Sequence, residues 1–253
     1  MAESVRRVLL LDLDGTLCLG DGPALRYAEG VDTLLVARGR KPDVFEQVLE
    51  FVSLPASEHL VRYADSPLRE AQDPWVATLL LAQRHGLTPA DLEPAFLASR
   101  VALERDEFDL HADPDLLELL GHRPPDVRVV LGTNSPDVGM ARLLTRLGVS
   151  GLLDDVCTSQ CKHTPDGMPN LLAHIQREYD ITTSQLLSVG DNWPNDLAPV
   201  AAAGGSTAYV DRFGHTELPA DLRSDTVAGL VPGIRHWLAS EPASTPSTVK
   251  ESS

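Results

Sequence analysis

Lysine is almost missing from this 253-residue sequence: Lys41, Lys162 and Lys250 stand beside 18 arginines. Any chemistry that needs a primary amine therefore has three candidates. Cysteine is equally scarce. Cys18, Cys157 and Cys161 form no CxxC and cannot all pair with one another, which excludes a disulfide-built scaffold and reads as the reduced thiols of a cytosolic protein. Positive charge is in deficit, since 21 Lys+Arg against 37 Asp+Glu leave a net −16. Such a field repels phosphate backbones and anionic lipid, and so argues against a nucleic-acid polymer or a membrane surface as partner. No apolar run approaches the length of a membrane span. The first, Val8 to Leu11, is also too short for a signal h-region. The expectation is a soluble, cytoplasmic protein of one large or two modest domains.

What is present is an alternation of strands and helices. Val8–Leu11 is continuously apolar, the pattern of a central parallel strand buried on both faces. Similar runs occur at Val127–Leu131, Leu186–Val189 and Thr207–Val210, with weaker strand patterns at Asp154–Thr158 and, as a last edge strand, Thr226–Leu230. Ser135-Pro136 reads as a helix opening, a hydroxyl cap before a proline, continued by Val138, Ala141, Leu144 and Leu147 up to Gly148. Pro169–Tyr179 is a further amphipathic stretch. This order predicts an α/β fold, a doubly wound, Rossmann-like parallel sheet. Residues 20–115 carry helical patterns only, at Val44–Val52, Trp75–His85 and Pro89–Glu107. They read as a helical domain inserted into a core made of 1–19 and 116–239. Residues 240–253, rich in Ser, Thr and Pro, are predicted to be a disordered tail.

Ligands of open parallel sheets bind beyond the carboxyl ends of the strands, and four polar clusters fall there. Asp12 and Asp14 are two apart in an extended segment, so their carboxylates point the same way. Like charges held together want a metal ion or a shared proton; the plainer reading is a solvated strand end before a turn at Gly15. Thr133-Asn134-Ser135 offers hydroxyls and backbone N–H groups for an anion, although such residues are more often simple helix caps. Lys162 stands out by scarcity and by its place between Thr133 and Asp191, where an ordinary loop lysine would only be solvated. Gly190–Asp196 puts Asp191, Asn192, Asn195 and Asp196 directly after a core strand, a donor set for a hard cation such as Mg²⁺.

Taken together and in order, the four clusters resemble the signature of the haloacid dehalogenase-like hydrolase superfamily. D-x-D-G-T is matched by Asp12–Thr16, the Thr/Ser after an apolar strand by Thr133, the lysine before a helix by Lys162, and G-D-x-x-x-N-D by Gly190–Asp196. The match runs from residue 8 to about 211, and the segment 20–115 resembles the cap these enzymes carry. One departure is that the family lysine is commonly followed by proline, whereas here His163 and Thr164 precede Pro165.

The resemblance implies a phosphoaspartyl route with Asp12 as nucleophile and Asp14 as general acid and base. It implies Mg²⁺ held by Asp12, the Asp14 carbonyl, Asp191 and Asp196, and phosphoryl oxygens held by Thr133, Asn134 and Lys162. An acid at Asp14 favours phosphate esters, because dehalogenases and phosphonatases of the superfamily lack one there. The expected function is thus Mg²⁺-dependent hydrolysis of a small phosphorylated metabolite. The alternatives are a phosphomutase of the same cap class and a non-catalytic binding protein on this fold. Arg26, Arg38, Arg40, Arg62 and Arg69 are candidates for a second anionic group of the substrate, each equally readable as a solvated surface arginine. Trp193 reads either as a stacking residue or as packing beneath the metal loop.

Overall fold

A computed structural model of the chain describes residues 4–103 and 105–240; apart from Ser240, the expected tail lies outside them. The apolar runs are strands. β1 (Arg7–Leu11), β2 (Val127–Gly132), β3 (Asp155–Cys157), β4 (Leu186–Gly190), β5 (Ser206–Val210) and β6 (Leu222–Ser224) form one sheet in the order β3-β2-β1-β4-β5-β6. Every pairing is parallel. β1 and β4 are buried along their whole length, as a strand covered on both faces must be.

Alternate residues of β1 serve opposite layers. Leu9 and Leu11 pack with Val129, Leu131 and the apolar sides of the helices Pro114–Gly121, Met140–Arg146 and Val227–Ala239. Val8 and Leu10 pack with Val130 and with Leu171 and Ile175 of the helix Gly167–Tyr179. Helices on both faces of a parallel sheet make the fold doubly wound α/β. From β1 the chain steps first to β2 and β3 on one side and then to β4, β5 and β6 on the other. The order therefore reverses at β1/β4, and a crevice opens beyond the carboxyl ends of those two strands.

Between β1 and the helix at 114 the chain is helical: Gly22–Ala37, Val44–Ser53, Ala56–Arg62, Pro74–Arg84 and Pro89–Leu103. The first and third of these have no counterpart among the patterns read from the sequence. They share their own apolar cluster, built on Val31, Leu35, Val48, Phe51 and Leu81. Phe213, from the turn after β5, enters that cluster and lies 4.5 Å from the Phe51 ring. The chain rejoins the main core early, since Leu103, Leu110 and Ala112 already pack there.

Two sequence expectations are corrected. Thr226–Leu230 is not a strand. The Thr226 hydroxyl accepts a hydrogen bond from Gly229 N–H and caps the helix Val227–Ala239, whose buried residues Val227, Leu230, Val231 and Ile234 recur at helical spacing. Nor does Ser135-Pro136 open a helix. The Ser135 hydroxyl is buried and donates to Asp14, so the helix starts only at Met140, after Gly139 at φ 73°.

Candidate active site

The three central strands β2, β1 and β4 each lead into a chemically useful residue. Asp12 follows β1 and is pinned to the neighbouring strand by Asp12 N–H donating to Val189 O at 2.9 Å. Thr133 follows β2, and Asp191 follows β4. Beyond them Asp196 is buried and reached through the short irregular helix Trp193–Leu197. It is fixed by Asn192 N–H donating to its Oδ2 at 3.1 Å. Asp12, Asp191 and Asp196 each present a carboxylate oxygen within 4.8 Å of the others.

Lys162 closes this group. Its Nζ donates to Asp12 Oδ1 at 2.5 Å, Asp196 Oδ1 at 2.6 Å and Gly132 O at 2.8 Å, so all three ammonium protons are used. Burial alone would favour the neutral amine, but Asp12 and Asp196 outweigh it and hold the pKa above lysine's ordinary value. For Asp12 burial wins: it raises the pKa from 3.8 to about 7 although Lys162 opposes the shift. Asp191 is pushed well above the usual carboxylate range by burial and then by Asp73, Asp12, Asp196 and Asp14. The cluster carries more negative charge than one lysine can balance.

The lysine reaches this place by a strained loop. Ser159 and Cys161 take left-handed conformations at φ 53° and 50°, which cost of order 1–3 kcal/mol each in a non-glycine residue. The loop is laced to the one after β2: Ser159 N–H donates to Ser135 O, Gln160 N–H to Thr133 O, and Lys162 N–H to Asn134 Oδ1 at 2.6 Å. These bonds do the positioning work where no proline follows the lysine. The Thr133 oxygen accepts from Ser135 N–H at 3.0 Å, which leaves its own O–H to donate.

Asp14 is placed differently from the other three acids. Its two oxygens accept from Arg100 Nη1 at 3.1 Å and Nη2 at 2.9 Å, and Oδ2 also accepts from Ser135 Oγ at 3.0 Å. Gly15, at φ +80°, leads the chain away from it; a Cβ there would overlap Asp191 Oδ2. Gly15→Ala is therefore expected to displace Asp191 and to cost about 1–3 kcal/mol of stability, read as a lower urea midpoint.

A cavity of about 390 Å³ lies over these groups. Its floor is the strand-end cluster and its wall is helical, with Tyr27, Trp75, Val76, Leu79, Phe96 and Arg100. The wall is tied to the floor by Asn192 Nδ2 donating to Asp73 Oδ2 at 2.6 Å and Trp193 N–H donating to Gln72 Oε1 at 2.6 Å. Thus Asp12, Asp14, Thr133, Asn134, Lys162, Asp191 and Asp196 all line one cavity. Trp193 does not line it; its ring lies edge-on to Tyr209.

The five arginines singled out from the sequence are exposed, and Arg26, Arg38 and Arg62 pair with Glu29, Asp91 and Glu50; none of the five lines the cavity. Arg100, which sequence reasoning passed over, does. So does Asp73, whose N-cap place before Pro74 was the one legible hint of its position.

Comparison with known proteins agrees with this geometry. The sequence model of the haloacid dehalogenase-like hydrolases matches residues 7–204. No curated protein matches. Among solved structures, a predicted phosphoglycolate phosphatase from Haemophilus somnus 129pt is similar with a TM-score of 0.60 and 17% identity, over 90% of this chain and 97% of that one. L-2-haloacid dehalogenase from Xanthobacter autotrophicus is similar with a TM-score of 0.52 and 18% identity, over 92% and 99%. The HAD-hydrolase YfnB from Bacillus subtilis, solved bound to magnesium, gives 0.54 and 15%, over 93% and 99%. At such identities these structures share the fold.

Proposed function

The chain belongs to the haloacid dehalogenase-like hydrolase family, and on that premise we propose that it hydrolyses small phosphate monoesters with Mg²⁺, through an aspartyl-phosphate on Asp12. The observation that carries this reading is the convergence of Asp12, Asp191 and Asp196 beside a second acid, Asp14, in one cavity. Displacing a halide needs neither a proton nor a cation, because chloride leaves as a stable anion. Displacing an alkoxide from a phosphate dianion needs both.

The residues suit a hard divalent cation. Three carboxylates within 4.8 Å of one another, Asp191 and Asp196 buried and Asp12 partly so, two of them with raised pKa values, are held against their mutual repulsion and fit oxygen-ligated Mg²⁺. Mg²⁺ held by Asp12, Asp191 and Asp196, with the Asp14 carbonyl as an expected further donor, supplies charge neutralisation between an anionic nucleophile and an anionic ester.

The protein's own groups do the rest. Asp12 attacks phosphorus in line; its oxygen–phosphorus bond forms as the ester bond breaks. Asp14 gives a proton to the departing oxygen, then takes one from the water that attacks the same phosphorus and releases Asp12. Such acid–base help is worth about 10²–10⁴-fold. Thr133 O–H and the Asn134 amide are placed for the equatorial oxygens, where transition-state charge collects, and Lys162 reaches them by releasing one of its two carboxylate bonds. The cavity of about 390 Å³ suits a metabolite, and the net charge of −16 speaks against a nucleic-acid polymer.

The test is phosphate release from 4-nitrophenyl phosphate and a panel of phosphorylated metabolites. Release should require Mg²⁺, stop in EDTA and resume when Mg²⁺ is restored. Phosphate release that persists in EDTA, or chloride release from a 2-haloacid, would overturn the reading.

A further inference from the structure

Arg100 is the best-buried charge in the cavity wall, 2% exposed. Packing fixes its guanidinium, which lies 4.1 Å from the Trp75 ring centroid and 5.2 Å from that of Phe96. Trp75 and Phe96 thus set the plane of the fork, and Tyr27 braces both rings, stacking on Trp75 at 5.7 Å and meeting Phe96 edge-on at 6.0 Å. Its two terminal nitrogens donate to Asp14, and its Nε–H is buried without a partner. A buried guanidinium with an orphan donor is an expensive feature unless something else uses it.

Among the described residues lining the cavity, the permanent cations are Lys162 and Arg100. Lys162 is saturated by Asp12, Asp196 and Gly132. Arg100 directs its hydrogen bonds to Asp14 alone, and both Asp14 oxygens accept them. In that state Oδ2 already accepts two hydrogen bonds and Oδ1 one, so the fork competes with an ester for the carboxylate.

We propose that Arg100 is a recognition residue for a second oxyanion, a carboxylate or phosphate that the leaving group carries near the ester oxygen. That oxyanion takes the fork from Asp14, which keeps the Ser135 hydroxyl and turns to the reaction. The remaining wall, with Val76 and Leu79 beside the aromatic rings, admits a carbon skeleton up to the size of a ring. The substrate class is therefore an acidic phosphate monoester with a partly apolar leaving group. An ester lacking the second anion leaves the Arg100–Asp14 pair intact. This inference rests on the phosphatase reading, and its test separates the two.

The measurement is the ratio of kcat/KM for 3-carboxyphenyl phosphate over phenyl phosphate. The wild type should prefer the carboxylated ester by about 10–100-fold, the worth of a charge-assisted hydrogen-bonded pair. Arg100→Met should bring the ratio to about 1 or below, and Arg100→Lys, which keeps the charge and loses the fork, to an intermediate value. If Arg100→Met fails to fold, the lysine variant carries the comparison. Calorimetric binding of both esters to Asp12→Asn, with and without Arg100→Met, gives a readout free of turnover. A wild-type ratio near 1, or a preference that survives Arg100→Met, overturns the proposal. Should the wild type hydrolyse neither ester while the Arg100-dependent difference in binding persists, the phosphatase reading falls and the subsite stands. Equal binding of both esters removes the subsite.

Discussion

Asp12→Asn is expected to lower the turnover of a phosphate ester by at least about 10⁴-fold, with a melting temperature equal to or above that of the wild type. The first half follows from removing the oxygen that the proposed mechanism bonds to phosphorus. The second follows from the electrostatics of the cluster. Burial, opposed by Lys162 and reinforced by Asp196, raises Asp12 from 3.8 to about 7, so the metal-free fold favours its neutral form. Between about pH 4 and 7 the folded protein holds a proton on Asp12 that the unfolded chain has already released. This contribution to stability is therefore present at low pH and declines as pH rises through that window. Asparagine removes the dependence. In EDTA the variant should gain on the wild type as pH climbs from 4 to 7, and in Mg²⁺ the order should reverse, because only the carboxylate binds the cation well. Urea midpoints of the two proteins at several pH values, with and without Mg²⁺, check this. A variant that is equally active, or that loses stability relative to the wild type at pH 7 in EDTA, contradicts it.

The sheet and the strand-end residues were legible because they depend on local pattern. A buried parallel strand is a short apolar run, and Val8–Leu11 and Leu186–Val189 can hardly be anything else when acids follow directly. The motif residues also sit at strand ends, so sequence order and the sheet rule were enough to bring Asp12, Thr133 and Asp191 together. Arg100 was not legible, because its meaning is entirely tertiary. In the sequence it is one of 18 arginines inside an ordinary helix, and only the packing of the helical insertion brings it across 86 positions to Asp14. Ser135 misled for the opposite reason. Serine before proline is a sound local signal for a helix start, but the hydroxyl had a stronger tertiary claim in Asp14. The run Thr226–Leu230 was ambiguous in the same way: five residues do not separate a strand from the first turn of a helix, and the later apolar positions Val231 and Ile234 decide it. The site's floor is thus written locally and its wall is not, which is why the floor residues could be placed before the structure and the wall residues could not.

Lys162→Met should separate the two duties that the lysine performs. Its ammonium bonds both Asp12 and Asp196, and removing one partner of a buried pair costs about 3–5 kcal/mol because the charge left behind is uncompensated. Carboxylates can escape that penalty by taking up protons, and Asp12 is already at about 7. The loss should therefore be largest above pH 7, near 3 kcal/mol, and smaller at pH 5. For a chain of this size, 3 kcal/mol corresponds to a fall in Tm of roughly 6–12 °C. Mg²⁺ brings positive charge to the same oxygens, so it should restore most of the lost stability. It cannot restore an N–H donor directed at the phosphoryl oxygens, and kcat should stay down by about 10²–10³-fold even in saturating Mg²⁺. Thermal melts at pH 5 and 8, with and without Mg²⁺, alongside initial rates, give all four numbers. If Mg²⁺ returned stability and rate together, Lys162 would be only a counter-ion to the acids. If the metal-free Tm at pH 8 did not move, the ammonium would not be what holds the carboxylates together.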